Sequence, residues 1–238
     1  MDAAPNNNAY QSQTLAVADE QLILLRDGAL WWGKREMLIV SDLHFEKGSS
    51  YAAHGQMIPP YDTAVTLSKI ERLMAEYSPK ICLSLGDSFH DGAAEARLGD
   101  AARGRIKALT SSTDWIWVEG NHDPVPPAAL GGRAETVLRL DGLVFRHEPT
   151  GEVGEIAGHL HPVAKVSAHG RSVRKKCFIT DGSRLIMPAL GSLTGGLNVL
   201  DDAFFALFAD RFTAYALGAD RVYPLASKRL AADRSARS

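Results

Sequence analysis

Acids and histidines, the side chains that commonly bind divalent metals, follow the ends of apolar runs in this sequence. The run 37–40 is followed directly by Asp42 and His44, and another run ends in His147. Three further runs end in Leu83-Ser84-Leu85-Gly86-Asp87, Trp117-Val118-Glu119-Gly120-Asn121-His122-Asp123 and Ile156-Ala157-Gly158-His159-Leu160-His161. Because loops begin where strands end at the rim of a sheet, we predict one site built from several strand ends.

Most of the eight histidines lie in or beside these motifs: His44, His90, His122, His147, His159 and His161. A single histidine is more often a surface or satisfied core residue than a metal ligand. Here, however, the histidines occur with Asp42, Asp87 and Asn121, and this mixture of donors suits divalent metals. The ligand candidates are Asp42, His44, Asp87, Asn121, His147, His159 and His161. They are too many for one tetrahedral zinc and fit two metals that share a bridging carboxylate.

The composition excludes several classes of protein. The 238 residues are 45% hydrophobic with a formal net charge of -2, so we expect a sizeable core and no generally basic nucleic-acid-binding surface. Cys82 and Cys177 lie in apolar runs, which predicts buried thiols rather than a disulfide scaffold or a thiolate metal site. Neither a signal peptide nor an apolar window of the ~20 residues that span a bilayer is evident, which predicts a cytoplasmic protein.

Periodicity and turn residues predict alternating strands and helices in the first half of the chain. Asp27-Gly28 predicts a hairpin between residues 21 and 32. The other predicted elements are strands at 37–40, 81–85 and 115–118, helices at 61–77 and 93–109, and a long loop over 45–60. This order implies parallel strands joined by right-handed crossovers.

Beyond residue 127 the pattern changes to short β runs, with hairpin turns at Asp141-Gly142 and Asp181-Gly182. Strands are predicted at 136–140, 143–145, 155–157, 163–167, 173–180 and 184–187, with two weaker ones between 212 and 225 and a strand or short helix at 203–208. We expect residues 14–226 to form one α/β domain of mixed α+β character, in which two sheets pack face to face with helices outside. Residues 1–13 are expected to be a disordered lead-in, and 227–238 a polar, basic tail.

Five motifs resemble, in order, those of the calcineurin-like metallophosphoesterase superfamily: Asp42-x-His44, Gly86-Asp87-x-x-x-Asp91, Gly120-Asn121-His122-Asp123, His147 and Gly158-His159-x-His161. The resemblance implies a four-layer αββα sandwich and two sets of metal ligands bridged by Asp87: Asp42, His44 and His161 for one metal, and Asn121, His147 and His159 for the other. Two such ions can hold a phosphate, provide a water nucleophile at neutral pH and stabilise the charge of in-line attack on phosphorus.

Residues beside the ligands are candidates for catalysis. By the resemblance, His122 is a general acid and phosphate contact rather than a ligand. Asp123 is either a carboxylate that orients its neighbours or a turn residue before Pro124. Where protein phosphatases of this superfamily carry an arginine that grips a phosphomonoester, this chain has Phe89-His90-Asp91, which resembles the branch of double-strand-break nucleases. His90 would then engage a phosphodiester, or else only support a metal ligand, and a phosphomonoesterase is disfavoured.

Longer segments between residues 36 and 202 are similar to the bacterial ligase-associated metallophosphoesterases, also called ligase-associated DNA-damage-response endonucleases. They are Glu46-Lys47-Gly48-Ser49-Ser50, Pro59-Pro60-Tyr61-Asp62-Thr63, Gly120-Asn121-His122-Asp123-Pro124, His147-Glu148-Pro149, Gly158-His159-Leu160-His161-Pro162 and Met187-Pro188-Ala189-Leu190-Gly191-Ser192-Leu193-Thr194-Gly195-Gly196-Leu197-Asn198. The resemblance implies a Mn²⁺-dependent phosphodiesterase or nuclease in DNA repair, with Zn²⁺, Fe²⁺ or Mg²⁺ as other metals. The partners it implies are an ATP-dependent DNA ligase, an Lhr-type helicase and a β-lactamase-fold exonuclease.

A short basic run is the candidate DNA contact: Arg171, Arg174, Lys175 and Lys176. It either contacts backbone phosphates or forms a solvated strand face. The alternatives to a DNA enzyme are a phosphodiesterase acting on a nucleotide or lipid-linked diester, and a scaffold that has lost its metals. A scaffold would be marked by missing ligands, and every candidate ligand is present.

Overall fold

The computed structural model describes residues 12–233 except 57, 59, 169, 170, 209 and 210. The first half contains β1 (Gln13–Val17), β2 (Glu20–Leu24), β3 (Leu30–Trp32), β4 (Met37–Val40), α1 (Lys47–Ala53), α2 (Asp62–Tyr77), β5 (Ile81–Leu85), α3 (Ala94–Arg97), α4 (Asp100–Ser111), β6 (Asp114–Val118) and β7 (Arg133–Glu135). The second half contains β8 (Leu138–Leu140), β9 (Leu143–Arg146), β10 (Glu155–Ala157), β11 (Pro162–Ala168), β12 (Arg171–Thr180), β13 (Leu185–Ile186), β14 (Leu197–Asn198), α5 (Asp202–Phe208), β15 (Thr213–Leu217) and β16 (Val222–Ala226).

The strands form two mixed sheets. The first has the order β1-β2-β3-β4-β5-β6-β7, antiparallel from β1 to β4 and parallel from β4 to β7. The second follows β14-β11-β12-β13-β10-β9-β8, and β15 pairs with both β12 and β16. Within it, β10 runs parallel to its neighbours β9 and β13. The parallel pairing of β4 to β7 confirms the parallel arrangement that was predicted for the first half of the chain.

Successive side chains of β4 point to opposite faces of the first sheet. Leu38 and Val40 pack in one core with Leu67 of α2 and Ile106 of α4. Met37, on the other face, belongs to the core between the two sheets. One face of this sheet therefore carries helices and the other carries the second sheet.

The second sheet repeats this division. Phe145 and Phe178 face the first sheet. Ile179 points the other way and packs against Phe204 and Phe208 of α5. The layers are thus helices, sheet, sheet and helix, which confirms the predicted sandwich. Both cysteines are buried and free, as predicted.

The structure differs from the predicted elements at several places. The loop expected over 45–60 contains α1, and β1 and β7 were not predicted. The helix expected over 93–109 is split into α3 and α4, because Leu98 and Gly99 have extended ψ values of 121° and 157°. The ambiguous segment 203–208 lies in α5. The hairpin turns at Asp141-Gly142 and in 25–29 are confirmed.

The two ends of the described chain differ from each other. Most of the predicted lead-in, residues 1–11, lies outside the described residues. The described part of the predicted tail contacts β11, where the Ala231 N–H donates to Lys165 O at 2.8 Å and Asp233 pairs with the Lys165 ammonium at 3.3 Å. None of the described helices combines the length and apolar character needed to cross a membrane.

Candidate active site

The predicted ligands follow the carboxyl ends of β4, β5 and β6 in the first sheet and of β9 and β10 in the second. Carboxyl ends of parallel strands meet at one edge, which is where open α/β sheets bind ligands. Left-handed φ values between +46° and +67° occur at Asp42, His44, Asp87, His159 and His161. Such backbone is uncommon outside glycine, and it clusters at functional sites.

Asp42, His44 and His161 form one group, whose ligand atoms lie within 4.8 Å of one another. His161 Nε2 is 3.1 Å from Asp42 Oδ1 and 3.2 Å from His44 Nε2. The Ser41 hydroxyl donates to Asp42 Oδ2 at 2.5 Å, and the His159 backbone N–H donates to the same carboxylate at 3.2 Å. These bonds fix the orientation of the Asp42 carboxylate.

Asp87, His147 and His159 form the second group, again with ligand atoms within 4.8 Å of one another. Asn121 joins it, because its Oδ1 lies 2.9 Å from His147 Nε2 and 3.0 Å from His159 Nδ1. His147 Nδ1 donates to Leu85 O at 3.0 Å, so that Nε2 faces the group.

Asp87 lies between the two groups. Its Oδ2 is 3.3 Å from His147 Nε2 and 3.8 Å from His44 Nε2. Its Oδ1 accepts a hydrogen bond from the His122 backbone N–H at 2.9 Å. The structure therefore brings all the candidate ligands together around one carboxylate.

Two glycines allow the strand ends to approach this closely. A Cβ on Gly158 would lie 2.0 Å from Ser41 Oγ and 2.5 Å from Asp42 Oδ2. A Cβ on Gly120 would lie 2.2 Å from the Asp87 backbone nitrogen. Any larger residue at either position would displace a carboxylate of the site.

The charged groups of the site shift one another's pKa. Burial opposes ionisation of Asp42, but the hydrogen bond and charge of His161, together with the charge of His147 and the Ser41 hydroxyl, outweigh it and hold the pKa below its usual range. In the same way His147 overcomes burial and lowers the pKa of Asp87 to about 2. Burial lowers the pKa of His44 to about 3, whereas Asp87 and Asp42 overcome burial and raise the pKa of His147 to about 9. Both carboxylates are thus anionic near neutral pH.

This set of donors fits divalent cations. The Nε2 atoms of His44 and His161 are 3.2 Å apart, beside the anionic Asp42 and Asp87. A single proton shared by the two Nε2 atoms satisfies only one hydrogen bond. A cation in the first group would meet imidazole and carboxylate donors, and one in the second would also meet the Asn121 amide oxygen, donors that suit divalent transition metals. The site can therefore hold divalent metal ions.

His90 and His122 form a stacked pair beside the first group. Their ring centroids are 5.3 Å apart with an interplanar angle of 19°, and His44 meets both rings edge-on. His122 Nδ1 donates to His90 O at 2.8 Å, while His122 Nε2 lies 4.0 Å from Asp87 Oδ2. Because Nδ1 keeps its proton for this bond, His122 can supply a second proton from Nε2 only as an imidazolium.

Asp123 is buried and holds the segment that carries Asp87 and His90. Its Oδ2 accepts the backbone N–H groups of Ser88 and Phe89 at 2.9 and 3.1 Å. Burial raises the pKa of Asp123 to about 7 against the effect of these two amides. Of the two interpretations of Asp123, these contacts fit an orienting carboxylate.

The structure does not bring the basic run to one surface. Along β12, Arg174 and Lys176 alternate with Arg171 and Lys175, so the two pairs lie on opposite faces. Arg174 donates to Gly196 O at 2.7 Å. Arg171, Arg174 and Lys175 are all exposed, but Arg174 lies on the opposite face from the other two and also pairs with Asp233 at 3.3 Å.

Lys176 supports a loop of the site. Its ammonium donates to Ala189 O, Gly191 O and Thr194 Oγ1 at 2.8, 2.7 and 2.6 Å. The same loop donates from the backbone N–H groups of Leu190 and Gly191 to Ser41 O and Asp42 O at 2.8 and 3.2 Å. Lys176 therefore holds a loop distant in sequence, and this loop in turn binds the backbone of Asp42.

Glu155 is a further residue of the site that the motifs do not include. Its fully buried carboxylate accepts the backbone N–H groups of Thr150 and Gly151, each at 2.9 Å, and so orders the turn after His147. A signal for it exists in the sequence, because an acid inside the apolar run 155–157 must find partners when buried.

Comparisons with known proteins identify one family and several similar solved structures. A family described as calcineurin-like phosphoesterase matches residues 36–186. The crystal structure of Pseudomonas putida nuclease MPE is 30% identical, covers 90% of this chain and 100% of that chain, and has a TM-score of 0.71. The E. coli phosphoesterase Yfce is 15% identical over 80% of this chain and 98% of its own, with a TM-score of 0.41. No curated protein matches the chain.

The fold and the site define a metal-dependent phosphoesterase, a hydrolase that acts on phosphoester bonds. The chain belongs to the calcineurin-like phosphoesterase family.

Proposed function

We propose that this hydrolase is a two-metal phosphodiesterase that cleaves DNA. The observation that carries the proposal is the stacked pair of His90 and His122 beside Asp87. A phosphomonoester dianion calls for a strong cation at this position, whereas a diester carries one charge and can be bound here by histidines, one of which would supply the proton that the leaving alkoxide needs. The similarity to a nuclease at 30% identity supports the same substrate class.

Each ligand group would hold one ion, with Asp87 shared between them. The first ion would be held by Asp42, His44 and His161, and the second by Asn121, His147 and His159. When bound, the ions would hold the phosphate oxygens, provide a water nucleophile at neutral pH and stabilise the developing charge. Mn²⁺ is the metal that the sequence resemblance favours.

His122 would donate the proton that the leaving alkoxide requires. The carbonyl of His90 holds its Nδ1–H, and Nε2 lies 4.0 Å from Asp87 Oδ2, so Nε2 would face a phosphate held between the ligand groups. The His122 side chain is 41% exposed and can recover a proton from solvent after each turnover. His90, stacked on His122, would help to engage the diester, and Asp123 would keep the His90 segment in place.

The proposed setting is DNA repair in a bacterial cytoplasm. Its support is the similarity of segments in residues 36–202 to ligase-associated metallophosphoesterases. An ATP-dependent DNA ligase, an Lhr-type helicase and a β-lactamase-fold exonuclease are the proposed partners, and co-purification or a shared operon would test them. Arg171 and Lys175 remain the candidate DNA contacts of the basic run, because they are exposed and share a strand face, whereas Arg174 is bonded to Gly196 O and Asp233.

One assay tests the substrate class. Purified protein would be given bis(p-nitrophenyl) phosphate, p-nitrophenyl phosphate and single-stranded DNA, each with Mn²⁺, Zn²⁺, Fe²⁺ or Mg²⁺. We expect hydrolysis of the diester and the DNA, fastest with Mn²⁺, and little hydrolysis of the monoester. A preference for the monoester would contradict the proposal. Diester hydrolysis without any DNA cleavage would indicate a small-molecule phosphodiesterase instead.

A further inference from the structure

Lys47 is a cation at the edge of the site that the five motifs do not include. It begins α1, and its backbone N–H donates to His44 O at 3.3 Å. Phe45, two residues earlier, exchanges backbone hydrogen bonds with the segment that carries His90. Its N–H donates to Ser88 O at 2.8 Å, and its carbonyl accepts from the His90 N–H at 3.0 Å. The start of α1 is thereby fixed next to the proposed catalytic pair.

The side chain of Lys47 extends along the same side of the site. Its Nζ lies 5.9 Å from the centroid of the Tyr51 ring. The Tyr51 ring in turn meets His90 edge-on at 5.9 Å, and His90 stacks on His122. Ring contacts through Tyr51 and His90 therefore connect the half-buried Lys47 ammonium to His122, the proposed general acid.

Among the residues that the structure describes, the Lys47 ammonium forms no close ion pair or hydrogen bond, and Asp87 and Asp62 act on it only from a greater distance. Neighbouring cations are already engaged. Arg97 pairs with Asp91 at 2.7 Å, Lys69 donates to Leu190 O at 3.2 Å, and Lys176 is held by the loop described above. Lys47 thus offers a positive charge near the metal ligands that is not closely paired.

The charge of Lys47 acts on other charged groups of the site. Burial lowers the pKa of His90, and the Lys47 ammonium lowers it further. Burial also lowers the pKa of Lys47 itself, whereas Asp87 and Asp62 act in the opposite direction. A half-buried ammonium of this kind gains more from an arriving anion than an exposed one, because solvent screens it less.

We infer that Lys47 binds a backbone phosphate of the DNA strand that is being cleaved. This phosphate is the neighbour of the one at which cleavage occurs. This inference rests on the proposed function. The cleaved phosphate belongs between the two ligand groups and His122, whereas the Lys47 ammonium lies beside the Tyr51 ring, which meets His90 edge-on. A lysine, as a mobile point charge, suits a contact that recognises the backbone regardless of sequence.

The test compares Lys47→Met, which keeps the apolar stem and removes the charge, with Lys80→Met. Lys80 is exposed, pairs with Glu36 and precedes β5, so it lies at the opposite end of that strand from Asp87. The kcat/KM of each variant is measured on single-stranded DNA and on bis(p-nitrophenyl) phosphate, which has no second phosphate. We expect the loss from Lys47→Met to be about tenfold larger on DNA than on the small diester, mainly through KM.

Salt dependence supplies a second measure. The slope of log kcat/KM on DNA against log salt should become shallower by about 0.7 in Lys47→Met, because one phosphate contact on a single strand is lost. Lys47→Arg should recover most of the DNA activity, and Lys80→Met should match wild type. Equal losses on the two substrates, or DNA activity of Lys47→Met equal to that of Lys80→Met, would overturn the role of Lys47.

Modified DNA tests the contact in the unchanged protein. An oligonucleotide with one neutral methylphosphonate next to the cleaved position should be cut more slowly by wild type, whereas Lys47→Met should respond little to it. Equal sensitivity of both proteins at every position would refute the inference even if the variant folds poorly. Wild-type protein that hydrolyses the small diester but never cuts DNA would instead refute the proposed DNA function.

Discussion

At the scale of single residues, the site depends on backbone that few residues can adopt. Asp42 and His44 both have left-handed φ, and Gly158 from the other sheet packs directly against the Ser41-Asp42 segment. The ligand groups are therefore held by close backbone approach as well as by side-chain hydrogen bonds. A change that leaves every ligand in place can still disturb the site.

Gly158→Ala tests this dependence. The added Cβ would fall 2.0 Å from Ser41 Oγ and must push the Asp42 carboxylate aside. We expect catalytic activity to fall by about a hundredfold, since a displacement near 1 Å has this effect at catalytic sites, together with weaker metal binding measured by calorimetry.

Gly104→Ala is the matched control. Gly104 lies inside α4, and a Cβ there would meet no atom within 4 Å. This variant should keep wild-type activity and gain up to about 1 kcal/mol in the free energy of unfolding. Wild-type metal affinity and activity in Gly158→Ala would contradict the proposed dependence.

At the scale of elements, loops distant in sequence hold the strand ends. The loop after β13 is tied to Lys176 of β12 on one side and to the Ser41-Asp42 backbone on the other. Strand alternation decides which lysine does this, because Lys175 points to the opposite face. Neighbouring lysines of the same run should therefore behave differently when substituted.

Lys176→Met is expected to destabilise the protein, because three oxygen atoms of the loop would lose their donor. The free energy of unfolding, measured in urea, should fall by about 2 kcal/mol. Lys175→Met should change it by less than about 0.5 kcal/mol, as expected for a surface position. Equal urea midpoints for the two variants would show that the ammonium does not support the loop.

The sequence identifies the site better than it identifies these supports. Asp42, Asp87 and His147 are visible because each ends an apolar run, and strand ends of parallel sheets must converge. The helix α1 was predicted as loop, since Gly48 and Gly55 interrupt its segment; its start is held by Asp62, which accepts the Gly48 N–H at 3.0 Å. Such a contact between separated segments leaves no local pattern, and neither does the position of Lys176.

At the scale of the whole molecule, the site joins the two sheets. Asp42, His44 and Asp87 follow strands of the first sheet, whereas His147 and His161 follow strands of the second. An ion in either group would therefore bind residues from both sheets. Metal binding should stabilise the entire fold and not only the loops at the site.

Metal removal tests this consequence. Addition of Mn²⁺ to chelator-treated protein should raise the melting temperature, and a concentration of a hundred times Kd corresponds to about 2.7 kcal/mol for one site. Calorimetry on the same samples should count two ions per chain. An unchanged melting temperature on saturation with metal would indicate that the ligand groups do not hold ions in the folded protein.

The central claim is that Asp87 serves both metal-binding groups of a phosphodiesterase. The most direct test is the kcat for hydrolysis of bis(p-nitrophenyl) phosphate with Mn²⁺ by wild type and by Asp87→Asn, which keeps the size of the side chain and removes its charge. We expect a fall of at least about a hundredfold, because loss of the shared carboxylate affects both ions. A kcat for Asp87→Asn within a factor of about two of wild type would contradict this account.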